Sequence, residues 1–482
     1  MRVAARAALR AWTVLVVVLL LAVVVRLPWD GDLGMHAATV ERLRHDLFEP
    51  GDPLVVSDAP SPYYSPWTFF LGCVARISGL SVFVVLRIGA LIGLALLVTG
   101  IWRYARTLSA HRMAGPLAVL CVLFLWGPCA FEWSGFLGLN SLALTVAYPS
   151  TFALGLSFHF WAWLTKAVRD KAGWGEFLGL GLLWAVILLS HQFTGVVASL
   201  GALGVVAGSR GPVPREVWGR LGAGLALGSA VVAVWPYYDF FALFGVSGLE
   251  AIHRPLYRAM LPHYGLALLG VLALGLRLRR DRRDPLVVFF ALGALMVAAG
   301  GLTGHYSWGR ALPAALIPAQ LAAALEACRL RPRSAYPAML GAALLAGTWA
   351  QAGTLGYVTG RGALPAPVAA RYRPPWPGYH WITPWVRYGD VILARTTPSR
   401  QLPAYGAYTV APGYPDIFLA DEQRRQTAVN RYFARDTCTG ERRAILREYG
   451  VRWVLGAAGE KGSLVREVAR GPGGLVLYEV VG

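Results

Sequence analysis

Apolar runs long enough to cross a membrane recur along this chain from Ala11 to Val358, and no other feature limits its fold so strongly. A run of about 20 apolar residues spans the hydrocarbon core as a helix, because every backbone polar group then pairs inside its own segment. Spans are expected over Ala11–Val25, Val82–Trp102, Met113–Ala130, Ser141–Leu164, Glu176–Leu189 and Gln192–Ala207. Five more are expected over Leu221–Pro236, Ala259–Leu276, Pro285–Gly300, Ala311–Ala327 and Tyr336–Gly353. With 56% hydrophobic and 15% charged residues, the 482-residue chain has too little polar surface to cover a soluble core of its size. The expected fold is mainly α: a polytopic transmembrane bundle of about eleven spans carrying a small C-terminal α/β domain.

The formal net charge of +19 invites a nucleic-acid reading, but the basic residues cluster in short loops between apolar runs and form no aromatic-interleaved stripe. Their placement reads instead as cytoplasmic loops. The clusters are Arg103/Arg106/Arg112, Lys166/Arg169/Lys171, Arg210/Arg215/Arg220, Arg277–Arg283 and Arg329/Arg331/Arg333. Arg254, Arg258 and Arg310 are the basic residues left for the outer loops after the first. This assignment holds when Pro66–Gly79, 14 residues long, is not counted as a span. At roughly 20 Å it falls short of the hydrocarbon core, and it reads as a re-entrant or interfacial helix. The N-terminus is then cytoplasmic and the C-terminal segment extracytoplasmic in a multi-pass cell-membrane protein. Arg2, Arg6 and Arg10 ahead of an apolar run resemble a secretory signal, but Arg26-Leu27-Pro28-Trp29-Asp30 offers no small-residue cleavage site, so the first helix is read as retained.

The organisation expected is a transmembrane module over 1–355 that includes an outer loop at 27–81, an irregular Pro/Gly-rich linker over 356–389, and an extracytoplasmic α/β domain over 390–482. In the last, strands are expected at Val391–Arg395, Tyr405–Val410, Val451–Leu455 and Gly474–Val480, with helices at Asp421–Ala434 and Glu441–Tyr449. Glu441–Tyr449 is expected to be capped by Thr439 or Gly440 and ended by Gly450. Five cysteines form no metal-spaced pair, and no Gly-rich phosphate loop follows a strand.

The outer loop opens with Trp29-Asp30-Gly31-Asp32-Leu33-Gly34-Met35-His36, two carboxylates and an imidazole just beyond the first span. In a helix starting near Leu33 and running on amphipathically through Leu43 and Leu47, Asp32 and His36 share a face. Ser61-Pro62-Tyr63-Tyr64-Ser65-Pro66 then leads into the short apolar helix. Tyr148-Pro149 is expected to kink the fourth span. Trp126, Trp133, Trp161, Trp163 and Trp308 read as interfacial anchors.

This layout resembles the GT-C glycosyltransferases: one N-terminal span, an acid just outside it, juxtamembrane helices, a Tyr/Pro-rich approach to a short apolar helix, many further spans and a distal outer domain. Leu402-Pro403-Ala404-Tyr405 and Arg447-Glu448-Tyr449-Gly450-Val451-Arg452-Trp453-Val454-Leu455 are similar to the outer module of bacterial members. Two departures stand out. Asp-Gly-Asp then His36 replaces an acidic pair followed by Arg-Tyr, and Tyr64-Ser65-Pro66 replaces Lys-Pro-Pro. The resemblance implies a polyprenyl-phosphate sugar donor, a glycan, lipid or protein acceptor, and an outer-loop carboxylate as general base. Asp32 is the first candidate and Asp30 the second, their mutual repulsion favouring a raised pKa in one of them. The competing role for Asp32 is N-capping of the following helix.

The leaving lipid phosphate needs positive charge, from Arg, protonated His or a divalent metal, although no ligand spacing compels a metal. The candidates are His36, His191 at an outer turn, His305 and Arg310 at the start of the tenth span, and Arg254. The competing readings are a polar turn marker for His191 and a snorkelling anchor for Arg310. Glu250, His253 and Arg254 read as a solvated loop; Glu132 is either a surface acid or a metal ligand. The expected activity is hexosyl or pentosyl transfer. The rivals are a transporter or flippase of a lipid-linked substrate, which predicts repeats and mid-membrane ionisable groups, and a non-catalytic envelope scaffold.

Overall fold

The structure is a computed structural model that describes residues 2–209, 211, 213–245, 250–330, 334–457 and 463–481. Arg210, Arg331 and Arg333 of the basic clusters lie outside the described residues. The principal helices in chain order are α1 (Arg2–Arg26), α2 (Leu33–His45), α3 (Pro66–Ser78), α4 (Val82–Leu108), α5 (Ala114–Phe124), α6 (Leu139–Thr145), α7 (Pro149–Arg169) and α8 (Trp174–Ser190). They continue with α9 (Gln192–Ala207), α10 (Arg215–Ala233), α11 (Leu268–Arg280), α12 (Pro285–Thr303), α13 (Leu312–Arg329), α14 (Ala335–Ala350), α15 (Glu422–Phe433) and α16 (Thr439–Glu448). Strands β1 (Val391–Ala394), β2 (Tyr408–Thr409), β3 (Val451–Ala457), β4 (Val465–Arg470) and β5 (Leu475–Val480) form one sheet. Among the described residues, five helices are long and apolar enough to cross a membrane by themselves, six if one bent pair is counted as a single span. The chain is a multi-pass membrane protein.

Two expected spans differ in kind. Met113–Ala130 is helical only as far as Phe124, where Leu125 leaves the helix. The carbonyls freed there are taken by side-chain amides: Gln320 Nε2 donates to Leu125 O at 3.0 Å and Gln351 Nε2 to Leu123 O at 2.9 Å. Buried backbone groups need such partners wherever a helix stops in a non-aqueous environment. Ser141–Leu164 is broken rather than kinked, with α6 and α7 bent by 119°. Pro149 opens α7 as its first residue, lacking the N–H that would continue α6, and the Thr151 hydroxyl donates to Thr145 O at 2.8 Å.

The chain divides into two compact units. The first comprises Met1–Pro28, Arg87–Trp235 and Phe240–Pro375. Its helices approach closely where glycines face each other: a Cβ on Gly181 of α8 would lie 1.9 Å from Gly224 O of α10, so the two backbones touch. One ion network joins three helices. Arg277 Nη2 lies 2.6 Å from Asp284 Oδ2, ahead of α12, and Arg277 Nη1 lies 3.4 Å from Glu326 Oε1 of α13. Arg280 also bonds Glu326, whose side chain is fully buried.

The second unit comprises Trp29–Leu86, Pro236–Asp239 and Trp376–Gly482. The outer loop that the sequence groups with the spans thus packs in the same unit as the C-terminal sheet. Sheet order is β2-β1-β3-β5-β4, with β2, β1 and β3 parallel and β5 antiparallel to β3 and β4. Period-two alternation sends Leu393 of β1 to the face covered by Val429, Tyr432, Ile445 and Leu446 of α15 and α16. Ile392 goes to the other face, with Ile382, Leu402 and Trp453. The four expected strands are present, although Tyr405–Val410 narrows to Tyr408–Thr409 behind a 3-10 turn over Leu402–Tyr405. β4 was not expected, because its Val-Arg-Glu-Val-Ala-Arg sequence is that of a polar edge. Cys438, rather than Thr439 or Gly440, is the residue preceding α16, and Gly450 follows it at φ +58°.

In this unit α2 is enclosed rather than laid along an interface, and it ends at His45, before Leu47. Arg42, wholly buried, donates to Pro53 O at 3.3 Å, to Gly406 O at 3.0 Å and to Ala407 O, with its guanidinium 3.6 Å from the Tyr408 ring centre. α3 matches the short helix expected after Ser65. A capping box between Ser65 and Thr68 starts it, and Gly79 at φ +70° stops it. Thr409 N donates to Leu54 O at 2.8 Å, so the loop before α3 extends the sheet edge.

Beside that edge, Asp52 is buried with its Oδ1 accepting from Leu54 N and Val55 N. Burial first, and then the charge of nearby Asp416, push its pKa up to about 7.

Two stability predictions follow from these clusters. Glu326→Ala strands the Arg280 charge and half the partners of Arg277, and is expected to cost about 2 kcal/mol, discounted for the partial exposure of Arg280. Thermal melting in detergent reads this as a lower midpoint, and an unchanged midpoint would remove the network from the account of the fold. Because the folded pKa of Asp52 is raised above its unfolded value, stability is full below about pH 4 and declines as pH rises toward 7. Asp52→Asn is expected to flatten that decline in melts run across the interval, and a slope equal to wild type would reject the raised pKa of Asp52 as its cause.

Candidate functional site

α2 starts at Leu33, which leaves Asp32 at its N-terminal boundary, and His36 N donates to Asp32 O at 3.1 Å. The Asp32 side chain makes no capping hydrogen bond, so the capping role weighed against a chemical one is not the one it plays here. Asp30 and Asp32 are both half-buried. Around them stand groups from distant parts of the chain in the same unit. The Tyr414 hydroxyl donates to Gly31 O at 2.6 Å. The Arg400 guanidinium lies 5.2 Å from the Tyr414 ring centre and 5.8 Å from that of Trp376. Trp376 N in turn donates to Trp29 O at 2.8 Å.

The electrostatics follow this packing. Burial and then the nearby Asp32 carboxylate push the Tyr63 hydroxyl well above its ordinary range. Tyr414 is raised by the same causes, while Arg400 opposes the shift. Both therefore stay protonated and can donate. Burial pushes the His36 imidazole down to about 3, so near neutrality the ring is uncharged. The ring therefore does not carry the positive charge expected of it.

A helix–loop contact fixes the position of the acids. A Cβ on Gly34 would lie 2.1 Å from Arg400 O, so the first turn of α2 rests on the backbone of Arg400. A carboxylate, two phenols, a guanidinium and an indole face are thereby held in one unit. Such a set can take a proton from a hydroxyl, place a sugar against an aromatic face and balance an anion.

The remaining candidates lie in the first unit. There His191 and Arg310, 119 residues apart in sequence, come together with Arg310 Nη2 3.3 Å from His191 Nε2. Arg310 is 7% exposed, and its guanidinium lies 4.6 Å from the Phe193 ring centre and 5.8 Å from that of Trp133. His191 Nδ1 accepts from Thr194 N at 3.2 Å and so caps α9. With Nδ1 occupied as an acceptor, a neutral ring carries its proton on Nε2 and turns a donor toward the guanidinium. Two donors side by side suit an anionic oxygen lying to one side of both, since 3.3 Å leaves no room between them.

Sequence reasoning set His253 aside as part of a solvated loop, yet it is 6% exposed and its ring stands 5.6 Å from Phe193. Its neighbour Arg254 is exposed and lies over Tyr306 at 5.7 Å, and exposed His305 stacks on Trp308. Neither joins the Arg310 cluster in any described contact. Trp133 faces Arg310 rather than serving as a plain anchor. Glu250 accepts from Ser307 N and Oγ, both at 2.9 Å, and Glu132 pairs with Arg373 at 2.6 Å. Among the described residues no three His, Cys, Asp or Glu side chains converge to hold a metal. Arg400, Trp376, Tyr414 and His253 were missed; their one sequence signal is the aromatic density of the stretches around them.

No protein-family model and no curated protein matches the sequence. Among solved structures, ArnT from Cupriavidus metallidurans in its apo state superposes with a TM-score of 0.55 at 16% identity, over 98% of each chain. The arabinofuranosyltransferase AftD from Mycobacteria superposes with a TM-score of 0.56 at 16% identity, over 98% of this chain. The chain spans 40% of the length of AftD. Both are GT-C glycosyltransferases, and the fold implied by the GT-C resemblance is the one this chain has.

Proposed function

We propose that this protein is a membrane glycosyltransferase that moves a sugar from a polyprenyl-phosphate donor to a hydroxyl of an outer-face glycan, lipid or protein, with Asp32 as general base. The observation that carries the reading is the Asp32 side chain. It makes no cap bond at the start of α2 and is grouped with Tyr63, Tyr414 and Arg400, in a fold shared with an arabinofuranosyltransferase. Asp32 takes the proton of the acceptor hydroxyl as its oxygen bonds to the anomeric carbon. The bond from that carbon to the donor phosphate breaks, its electron pair stays on the phosphate oxygen, and polyprenyl phosphate leaves. Asp30 is the alternate base. Two separate alternatives are offered for the phosphate: Arg400 with His36 in one unit, or Arg310 with His191, His305 and Arg254 in the other. A divalent metal is a further way to balance that charge.

The topology belongs to the same proposal. About eleven crossings, counting α5, α8, α9, α10 and α14 and the bent pair α6/α7, put the N-terminus inside and residues 390–482 outside. The segments 1–355, 356–389 and 390–482 are then the membrane module, linker and outer domain. A membrane-impermeant maleimide is expected to label Cys438, which is exposed, in spheroplasts of a variant keeping that cysteine alone. Labelling only after permeabilisation would invert the topology.

Transfer from radiolabelled polyprenyl-phosphate sugars in membranes tests the chemistry. Asp32→Asn is expected to lose at least about 100-fold in rate. Arg400→Gln and Arg310→Gln, compared side by side, assign the phosphate to whichever variant loses binding of the donor. Full transfer by Asp32→Asn would overturn the base, and failure of the wild type to bind any lipid-phosphate sugar would overturn the enzyme reading.

A further inference from the structure

A second basic site, away from the residues above, lies between α4 and α7 in the first unit. A groove of about 720 Å³ is lined by Arg103 and Arg106 of α4, Arg169 at the end of α7, and Thr99, Trp102 and Thr107. The two helices cross just before it. A Cβ on Gly100 would lie 2.8 Å from Gly155 O, and one on Gly155 would lie 2.8 Å from Leu97 N, so the backbones touch there. Arg103 and Arg106 follow the crossing on α4 and Arg169 ends α7, so all three line the groove. Trp102 walls the groove, its indole so close to Gly115 of α5 that a Cβ there would lie 2.6 Å away.

The depth of the groove follows from helix length. The 27 residues of α4 extend about 40 Å, longer than a ~30 Å hydrocarbon core. The excess lets its last turns, which carry Trp102, Arg103 and Arg106, extend into the headgroup layer. Charge is poorly matched there. Among the described residues, Asp170 is the carboxylate bonded to Arg169, at 2.9 Å, while Arg103 and Arg106 pair with no acid. Arg106 spends one N–H on Ala110 O at 2.7 Å. Thr99 Oγ1 lies 3.1 Å from His159 Nε2, which gives the floor a polar edge.

We propose that this groove binds the phosphate-bearing headgroup of an anionic phospholipid, with the acyl chains running down the apolar side of α4 past Val98. Arg103, Arg106 and Arg169 bond the phosphodiester oxygens, and Trp102 lies along the glycerol and upper acyl region. The arginines supply charge at headgroup depth, and the helix crossing supplies the shape.

Native mass spectrometry of the full-length protein titrated with phosphatidylglycerol or phosphatidylcholine tests this. Wild type is expected to retain phosphatidylglycerol selectively, and Arg103→Gln with Arg106→Gln to weaken it roughly tenfold or more. Equal retention by the double variant, or equal retention of phosphatidylcholine, overturns the proposal. Displacement of the lipid by millimolar inorganic phosphate overturns the lipid assignment in favour of a free phosphate. Should the double variant not fold, Arg169→Gln goes through the same titration. A several-fold weakening is expected there, and none overturns the proposal.

Discussion

The buried guanidinium of Arg42 sets the order of the second unit. A cation taken out of water must be met by acceptors on several sides. Here they are the carbonyls of Pro53, Gly406 and Ala407 and the face of Tyr408, drawn from the outer loop and the C-terminal segment. Those carbonyls are available only if the loop before α3 runs along β2 and the turn after Tyr405 closes as it does. The same helix carries Asp32 at its other end. The orientation of the acid is therefore inherited from an interaction nearly three turns away.

A different economy governs the first unit. Its helices are not all whole spans: α5 stops early, α6 and α7 break, and the loose carbonyls are met by Gln320 and Gln351. Each amide is a polar residue buried at a place where an apolar one would pack as well. The need they meet is the backbone's.

Much of this was legible. Hydropathy placed most helices, length alone identified α3 as shorter than a span, and Ser65 marked its start. The acids at Asp30 and Asp32 were visible because charge beside an apolar run is conspicuous, and His191 because it interrupts one. What lay hidden depends on contacts far apart in sequence. Arg42 looks like any polar residue on the outer side of a helix, and Asp52 and Asp416 are unremarkable until folded together. Arg400 carries nothing local that announces its place beside Tyr414. His253 and Arg254 are adjacent and alike in polarity, and only tertiary packing decides that the first turns inward and the second outward.

The contact of Gly34 with the Arg400 carbonyl bears on how such a chain can drift. Any side chain at position 34, even a methyl group, would collide with main chain and not with a movable neighbour. Relief would require α2 and the 400 loop to separate, carrying Asp32 and Arg400 apart. The position is closed to exchange although it takes part in no chemistry. Homologues that vary there should have rebuilt the loop in the same step, so covariation between these two places would report on the geometry of the acids.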